Sequence, residues 1–375
     1  MKSKLPKKFE GKKVAIVCDW LTNYAGAERV ISAISEIFPE APIYTSVYNE
    51  RNMREFKGRN VKQSFLSHLP FAKEKHQLYI TLMPYIFEAM DLDEYDLVIS
   101  SSHACAKGVI TSIDTIHVCY CHSPMRYVWD GCHEYVNSYG WYRWPFKWLI
   151  DRKLSGLRKW DRLAAERVDY FIANSKYVAR RIKKYYEKEA EVIYPPVDID
   201  KFERSEQPGQ YYLAVGRLIP YKRFDLLVDT FNSLGLPLYI IGDGKEFANL
   251  KEKALDNVKL LGFVPDQDLQ NYYANAKAFL FPQKEDFGIT AIEAMSCGKP
   301  VIAFGEGGAI ETIIDGKTGV LFEEQSVSCL SKAVKRFEKL DKEGKLDSVN
   351  IRKQAEKFSK ERFQSEIIAF LEKLL

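Results

Sequence analysis

Two series of short apolar runs, separated by Tyr194-Pro195-Pro196-Val197-Asp198, constrain this chain more than any other feature. In the first series Val14–Cys18, Leu97–Ile99, His117–Tyr120 and Tyr170–Ala173 read as strands, with amphipathic helical stretches between them. The first of those stretches starts near Ala27. In the second series Tyr211–Val215, Leu238–Ile241, Val258–Leu261, Ala278–Phe281 and Pro300–Ala303 follow the same rule. A nearly all-apolar run fits a strand covered on both faces of a parallel sheet, and strands alternating with helices build a doubly wound α/β domain. Consecutive prolines end regular structure. Two Rossmann-like domains are therefore expected, over residues 1–197 and 198–355, facing a cleft. Residues 356–375 read as a helix expected to pack back toward the N-terminal domain.

At 375 residues the chain is long for one core and suits two. A net charge of +4 is too small for a nucleic-acid-binding surface. Seven cysteines, an odd count without a CxxC pair, fit a reducing compartment better than a disulfide framework. The basic start MKSKLPKKFEGKK has no apolar signal core after it, and no apolar run approaches the ~20 residues of a membrane span. A cytoplasmic location is expected, with the inner face of the membrane as a resting surface.

Ligands of open α/β sheets sit beyond the carboxyl ends of the strands, so the loops after the strands are where chemistry is sought. Glu285-Asp286-Phe287-Gly288-Ile289 follows one strand, and Gly288 is placed to open a helix that carries Glu293 and runs to about Cys297. The unpaired N–H groups at a helix start suit sugar hydroxyls or a phosphate. Gly216-Arg217-Leu218-Ile219-Pro220-Tyr221-Lys222 follows another strand, and Arg217 and Lys222 suit the charge of a departing diphosphate. Gly242-Asp243-Gly244 and Gly305-Glu306-Gly307-Gly308 are permissive turns that lack a full phosphate-loop pattern. In the first half, Gly26 sits where backbone can approach a ligand, and Glu28 suits a helix start. His122 ends a strand before Ser123-Pro124 and reads as a cleft residue. His117, Cys119, Cys121 and Cys132 crowd nearby, but their spacing matches no common zinc pattern. Asp91/Asp93, Asp198/Asp200 and Asp266/Asp268 spell DxD in scattered contexts without a convincing metal pocket. Taken singly, the acidic and basic loops also fit solvated surface charge.

Taken together, GAE, ANS, PPVD, GRLIPYK, Glu285 and Glu293 in EDFGITAIEAMSCGKPVIA, and DGKTGVLF, in that order along the chain, resemble the retaining GT-B glycosyltransferases of the group-1, or family 4, type. The resemblance covers nearly the whole chain. YCHSPMRYVWD and RVDYFIANSKYVARRI are similar to its prokaryotic O-antigen and polysaccharide mannosyltransferase branch. It implies transfer of a hexose, mannose from GDP-mannose, to a hydroxyl of a glycan or lipid-linked acceptor, without a metal or other cofactor. A UDP-sugar is the alternative donor.

The resemblance also implies roles. Arg217 and Lys222 hold the diphosphate, and Glu293 the ribose hydroxyls. Glu285 with the backbone of Asp286, Phe287, Gly288 and Ile289 holds the donor sugar. His122 lies against the sugar near the reacting carbon, Gly26 leaves room for the diphosphate, and Val264 approaches the base. The family commonly has Gly-Gly where this chain has Ala25-Gly26. Retention is usually described as reaction on one face, the leaving phosphate helping to deprotonate the acceptor. A nucleotide-sugar epimerase and a non-catalytic nucleotide-sugar-binding protein are the competing readings, and the two basic and two acidic positions argue against both.

Tyr139–Trp160 interleaves tryptophans with basic residues, which suits a membrane interface beside a lipid-linked acceptor. An interdomain or oligomer contact, or a local core, fits the same composition.

Overall fold

A computed structural model describes residues 7–132, 147–205 and 209–375. The chain divides into two compact units, residues 1–196 with 363–375, and residues 197–362.

Seven parallel strands form the sheet of the first unit: β1 (Val14–Cys18), β2 (Ile43–Thr45), β3 (Val61–Gln63), β4 (Leu97–Ser102), β5 (Ile116–Cys121), β6 (Tyr170–Ala173) and β7 (Ala190–Val192). Their spatial order is β3-β2-β1-β4-β5-β6-β7, so the order reverses between β1 and β4. Every residue of β1 is buried, as its unbroken apolar sequence requires. Helix α1 (Gly26–Ile37) packs Val30, Ile31, Ile34 and Ile37 inward at helical spacing. Phe363, Ile367 and Leu371 join the same core.

The second unit has six parallel strands: β8 (Tyr211–Val215), β9 (Leu238–Ile241), β10 (Val258–Gly262), β11 (Ala276–Phe281), β12 (Val301–Phe304) and β13 (Gly319–Phe322). The order β10-β9-β8-β11-β12-β13 is that of a dinucleotide-binding fold, with its reversal between β8 and β11. Leu227, Phe231, Ile240, Leu280, Ile302 and Phe337 centre its core.

Several strands differ from the sequence reading for identifiable reasons. β4 runs on through Ser100, Ser101 and Ser102, all buried. Ser100 Oγ lies 2.8 Å from His117 Nε2 and Ser101 Oγ lies 2.8 Å from His122 Nε2, whereas the Ser102 hydroxyl has no partner among the described residues. β12 begins one residue late, at Val301: Pro300 has no N–H to give the ladder, although its carbonyl accepts from Phe279. The helix expected over 356–375 spans Lys360–Leu374, and Ser348–Glu356 forms a separate helix before it.

Candidate functional site

In each sheet the order reversal opens a crevice at the carboxyl ends of two neighbouring strands, where open α/β folds bind ligands. In the second unit the loops after β8 and β11 flank it. The first carries Arg217 and Lys222, and the second carries Glu285 through Gly288.

Lys222 Nζ lies 3.2 Å from Glu285 Oε1, and both side chains are largely enclosed. Arg217, on the same loop as Lys222, is exposed, and no ion pair to it is found among the described residues. Backbone bonds fix both loops. Leu218 N–H donates to Asp243 O at 2.9 Å, and Gly308 N–H donates to Glu285 O at 2.9 Å. The glycine turn Gly242-Asp243-Gly244 thus braces the Arg217 loop, and the Gly307-Gly308 turn braces Glu285. At Gly307, with φ +69°, a Cβ would stand 2.3 Å from Glu285 O, so this close backbone contact needs glycine.

Gly288 caps the helix Ile289–Ser296 with φ +99°, and a Cβ there would meet the Phe281 ring at 2.7 Å. The helix therefore starts at Ile289, with Gly288 as its left-handed entry. Phe287 is buried, which leaves Asp286 and Gly288 as the half-buried flanks of the turn. Glu293 lies inside this helix and is only 3% exposed, and Tyr273 OH donates to its Oε2 at 3.0 Å. It is a buried, hydrogen-bonded carboxylate rather than a solvated helix charge. Val264 is half-buried just beyond β10, next to the exposed Phe263.

In the first unit the crevice lies between β1 and β4. Gly26 is the first residue of α1, and Ala25 N–H donates to Glu28 Oε2 at 3.0 Å, so Glu28 serves the helix start. His122 follows β5. Burial lowers its pKa to about 3, with His103 adding to the effect, so the ring is neutral at physiological pH.

The sequence reading passed over the residues around it. Asp19, directly after β1, is 1% exposed and accepts four backbone N–H groups, from His103 (2.7 Å), Ala104 (2.9 Å), Cys105 (2.6 Å) and Ala106 (2.7 Å). It also lies 3.2 Å from His103 Nδ1. The His103 ring packs edge-on against Trp20 at 4.6 Å, and Trp20 packs against His76 at 4.2 Å. The His122 ring is 6.1 Å from that of His103. The available signal was position: Asp19 and His103 each directly follow a strand at the reversal.

Among the described residues no group of three or more His, Cys, Asp or Glu is gathered as a metal site. All seven cysteines are free, and Cys119 and Cys121 are buried in the sheet. Among the same residues no helix is long and apolar enough to cross a membrane. Of Tyr139–Trp160, residues 139–146 lie outside the described residues, and Trp148 is 59% exposed on the helix Lys147–Glu166.

Comparison with known proteins agrees with this geometry. An uncharacterized glycosyltransferase of Methanocaldococcus jannaschii is 28% identical over 191 residues, 50% of this chain and 54% of that protein. A GDP-mannose-dependent alpha-(1-6)-phosphatidylinositol monomannoside mannosyltransferase of Mycolicibacterium smegmatis is 30% identical over 192 residues, 43% of this chain and 50% of that protein. The chain thus spans about half the length of the curated relatives it matches. Among solved structures, Anabaena HepE with UDP and glucose superposes with a TM-score of 0.70 at 20% identity, covering 96% of this chain and 99% of that one. Sucrose-phosphate synthase from Thermosynechococcus elongatus does so with a TM-score of 0.72 at 17% identity, covering 97% and 99%. These likenesses show the GT-B fold. Residues 24–201 match the model of Glycosyltransferase Family 4 and residues 198–360 that of Glycosyl transferases group 1. Each half of the chain thus matches a glycosyltransferase model, the first that of family 4 and the second that of group 1.

Proposed function

We propose that the protein transfers a hexosyl group, mannose from GDP-mannose, to a hydroxyl of a glycan or lipid-linked acceptor, with retention of configuration and without a metal. The carrying observation is the Lys222–Glu285 pair at the order reversal of the second sheet, with Arg217 exposed on the same loop. Charge grows on the diphosphate as the glycosidic bond breaks, and fixed cations stabilise that charge. In this reading Arg217 binds the phosphates bidentately and Lys222 acts as a point charge. Glu285 and the backbone of Asp286, Phe287, Gly288 and Ile289 hold the sugar. Glu293 holds the ribose, Val264 borders the base, Gly26 leaves space for the diphosphate, and His122 acts at the sugar. The protein works in the cytoplasm, peripheral to the inner face of the membrane, in the assembly of a polysaccharide or lipopolysaccharide.

The mannosyl donor is supported by the relative from Mycolicibacterium smegmatis, a GDP-mannose-dependent mannosyltransferase. A UDP-sugar is the second reading, favoured by the HepE complexes with UDP and UDP-glucose. A thermal-shift screen of nucleotide sugars separates them. GDP-mannose at a hundredfold excess over its Kd is expected to stabilise by ~2.7 kcal/mol, and stabilisation by UDP-sugars alone removes the mannosyl reading. Transfer of radiolabelled mannose, followed by NMR of the product anomer, tests the reaction and its stereochemistry. Undiminished transfer in EDTA is expected, and loss of activity in chelator removes the metal-free reading.

A further inference from the structure

We propose that His103, held by Asp19, is the hydrogen-bonding site for a hydroxyl of the acceptor sugar, with the Trp20 indole as the apolar wall beside it. The inference rests on the glycosyltransferase reading and adds to it a site in the first unit.

Asp19 is almost wholly enclosed, and the four N–H groups it accepts hold its carboxylate in one orientation. Those bonds already fix the loop after β4. The contact of Oδ2 with His103 Nδ1 at 3.2 Å goes further, because it places the ring N–H on the Asp19 side. The other ring nitrogen, Nε2, faces away from Asp19 and is the hydrogen-bonding atom left for a ligand, an acceptor in the neutral ring. The His103 side chain is 31% exposed while that of Asp19 is 1% exposed, so the ring bridges the interior and the surface. Asp19 thus acts as a positioning residue and His103 as the contact residue.

The chemistry of the surroundings selects the ligand. Trp20 stands at 90° to the His103 ring and is backed by His76, so the indole is held in place. A pyranoside has an apolar C–H face to lay on an indole and hydroxyls to donate to an imidazole. A phosphate does not suit the site. The acidic side chain there is Asp19, and burial keeps both His76 and His122 neutral, their pKa values lowered to about 4 and about 3. Lys107, the cation nearest in sequence on this loop, is buried and engaged by Asp161. The surroundings of His103 therefore suit a neutral polyol, whereas the crevice of the second unit carries Arg217 and Lys222.

The test is binding of octyl α-mannopyranoside and octyl β-glucopyranoside by saturation-transfer NMR, with GDP-mannose and UDP-glucose titrated into the same samples. His103→Asn keeps a polar group toward Asp19 and removes Nε2. His103→Gln replaces Nε2 with an amide. Far-UV and near-UV circular dichroism check that both variants fold. Octyl glycoside affinity is expected to fall at least tenfold in His103→Asn and to recover in part in His103→Gln, with nucleotide-sugar affinity within twofold of wild type. Unchanged glycoside affinity in His103→Asn overturns the proposal. So does a wild-type protein that binds a nucleotide sugar but neither glycoside. A folded wild type that binds neither class of ligand removes the glycosyltransferase reading itself, and this inference with it.

Discussion

Lys222 Nζ and Glu285 Oε1 stand 3.2 Å apart, reaching each other from loops that follow the adjacent strands β8 and β11. Each neutralises the other where neither is well solvated, so a substitution at one position changes the charge felt at the second. Lys222→Ala is expected to lower kcat/KM for the donor about a hundredfold, by removing a cation from the departing diphosphate. It also removes the ion pair with Glu285 at a largely enclosed position and should cost about 1 kcal/mol of stability. Steady-state kinetics and urea unfolding measure the two effects separately. Kinetics within a factor of two of wild type contradict the role given to Lys222.

Glu293 and His122 are expected to split binding from turnover. Glu293 is buried within its helix and takes the Tyr273 hydroxyl at 3.0 Å. Glu293→Ala should weaken donor binding by about tenfold or more, since a hydrogen bond to a charged group contributes ~1.5–3 kcal/mol. His122→Ala should instead slow kcat by about a hundredfold with little change in donor Kd. Calorimetric Kd values beside single-turnover rates decide this, and the opposite pattern rejects both assignments.

Acid should destabilise the first unit through three neutral histidines. Burial, the largest cause in each case, lowers the pKa of His76 and of His117 from 6.5 to about 4 and that of His122 from 6.5 to about 3. The unfolded chain therefore binds more protons than the folded one between these values. The stabilising contribution is complete above about pH 6.5 and is lost as the pH falls toward 4 and then 3. The urea midpoint should drop between pH 7.5 and pH 5. His117→Asn, which removes one titrating ring, should show a smaller drop, and an identical pH profile in the variant contradicts this account.

Lys107 and Asp161 form a fully buried ion pair, and Asp161 Oδ2 also accepts Trp129 Nε1–H at 2.7 Å and Tyr186 OH at 2.8 Å. Lys107→Met strands the carboxylate and is expected to cost about 3–5 kcal/mol. The double variant Lys107→Met, Asp161→Leu should recover part of that loss, because no charge is then left buried. A double variant no more stable than Lys107→Met argues against an electrostatic cause.

The continuous apolar runs were legible as strands because burial on both faces leaves no room for alternation. β1, β6, β8 and β9 fall on the residues expected. The strands that went unseen are short. Val61–Gln63 and Ala190–Val192 contain polar residues on partly exposed edges, and Gly319–Phe322 opens on a glycine pressed against Val301 O. Such segments become strands because a neighbour offers hydrogen-bonding partners, and no local pattern records that. Motif order pointed to Arg217, Lys222, Glu285 and Glu293, but not to the pairing of Lys222 with Glu285 or of Tyr273 with Glu293.

By itself the sequence determined two doubly wound α/β halves and the loops on which chemistry is sought, since both follow from local periodicity and short motifs. Only the tertiary structure decided that Asp19 would hold His103, 84 positions further along, through its backbone N–H and its ring. Parallel pairing of β1 with β4 brings the two strand ends side by side, and a contact made by strand order leaves no trace in the residues next to either partner.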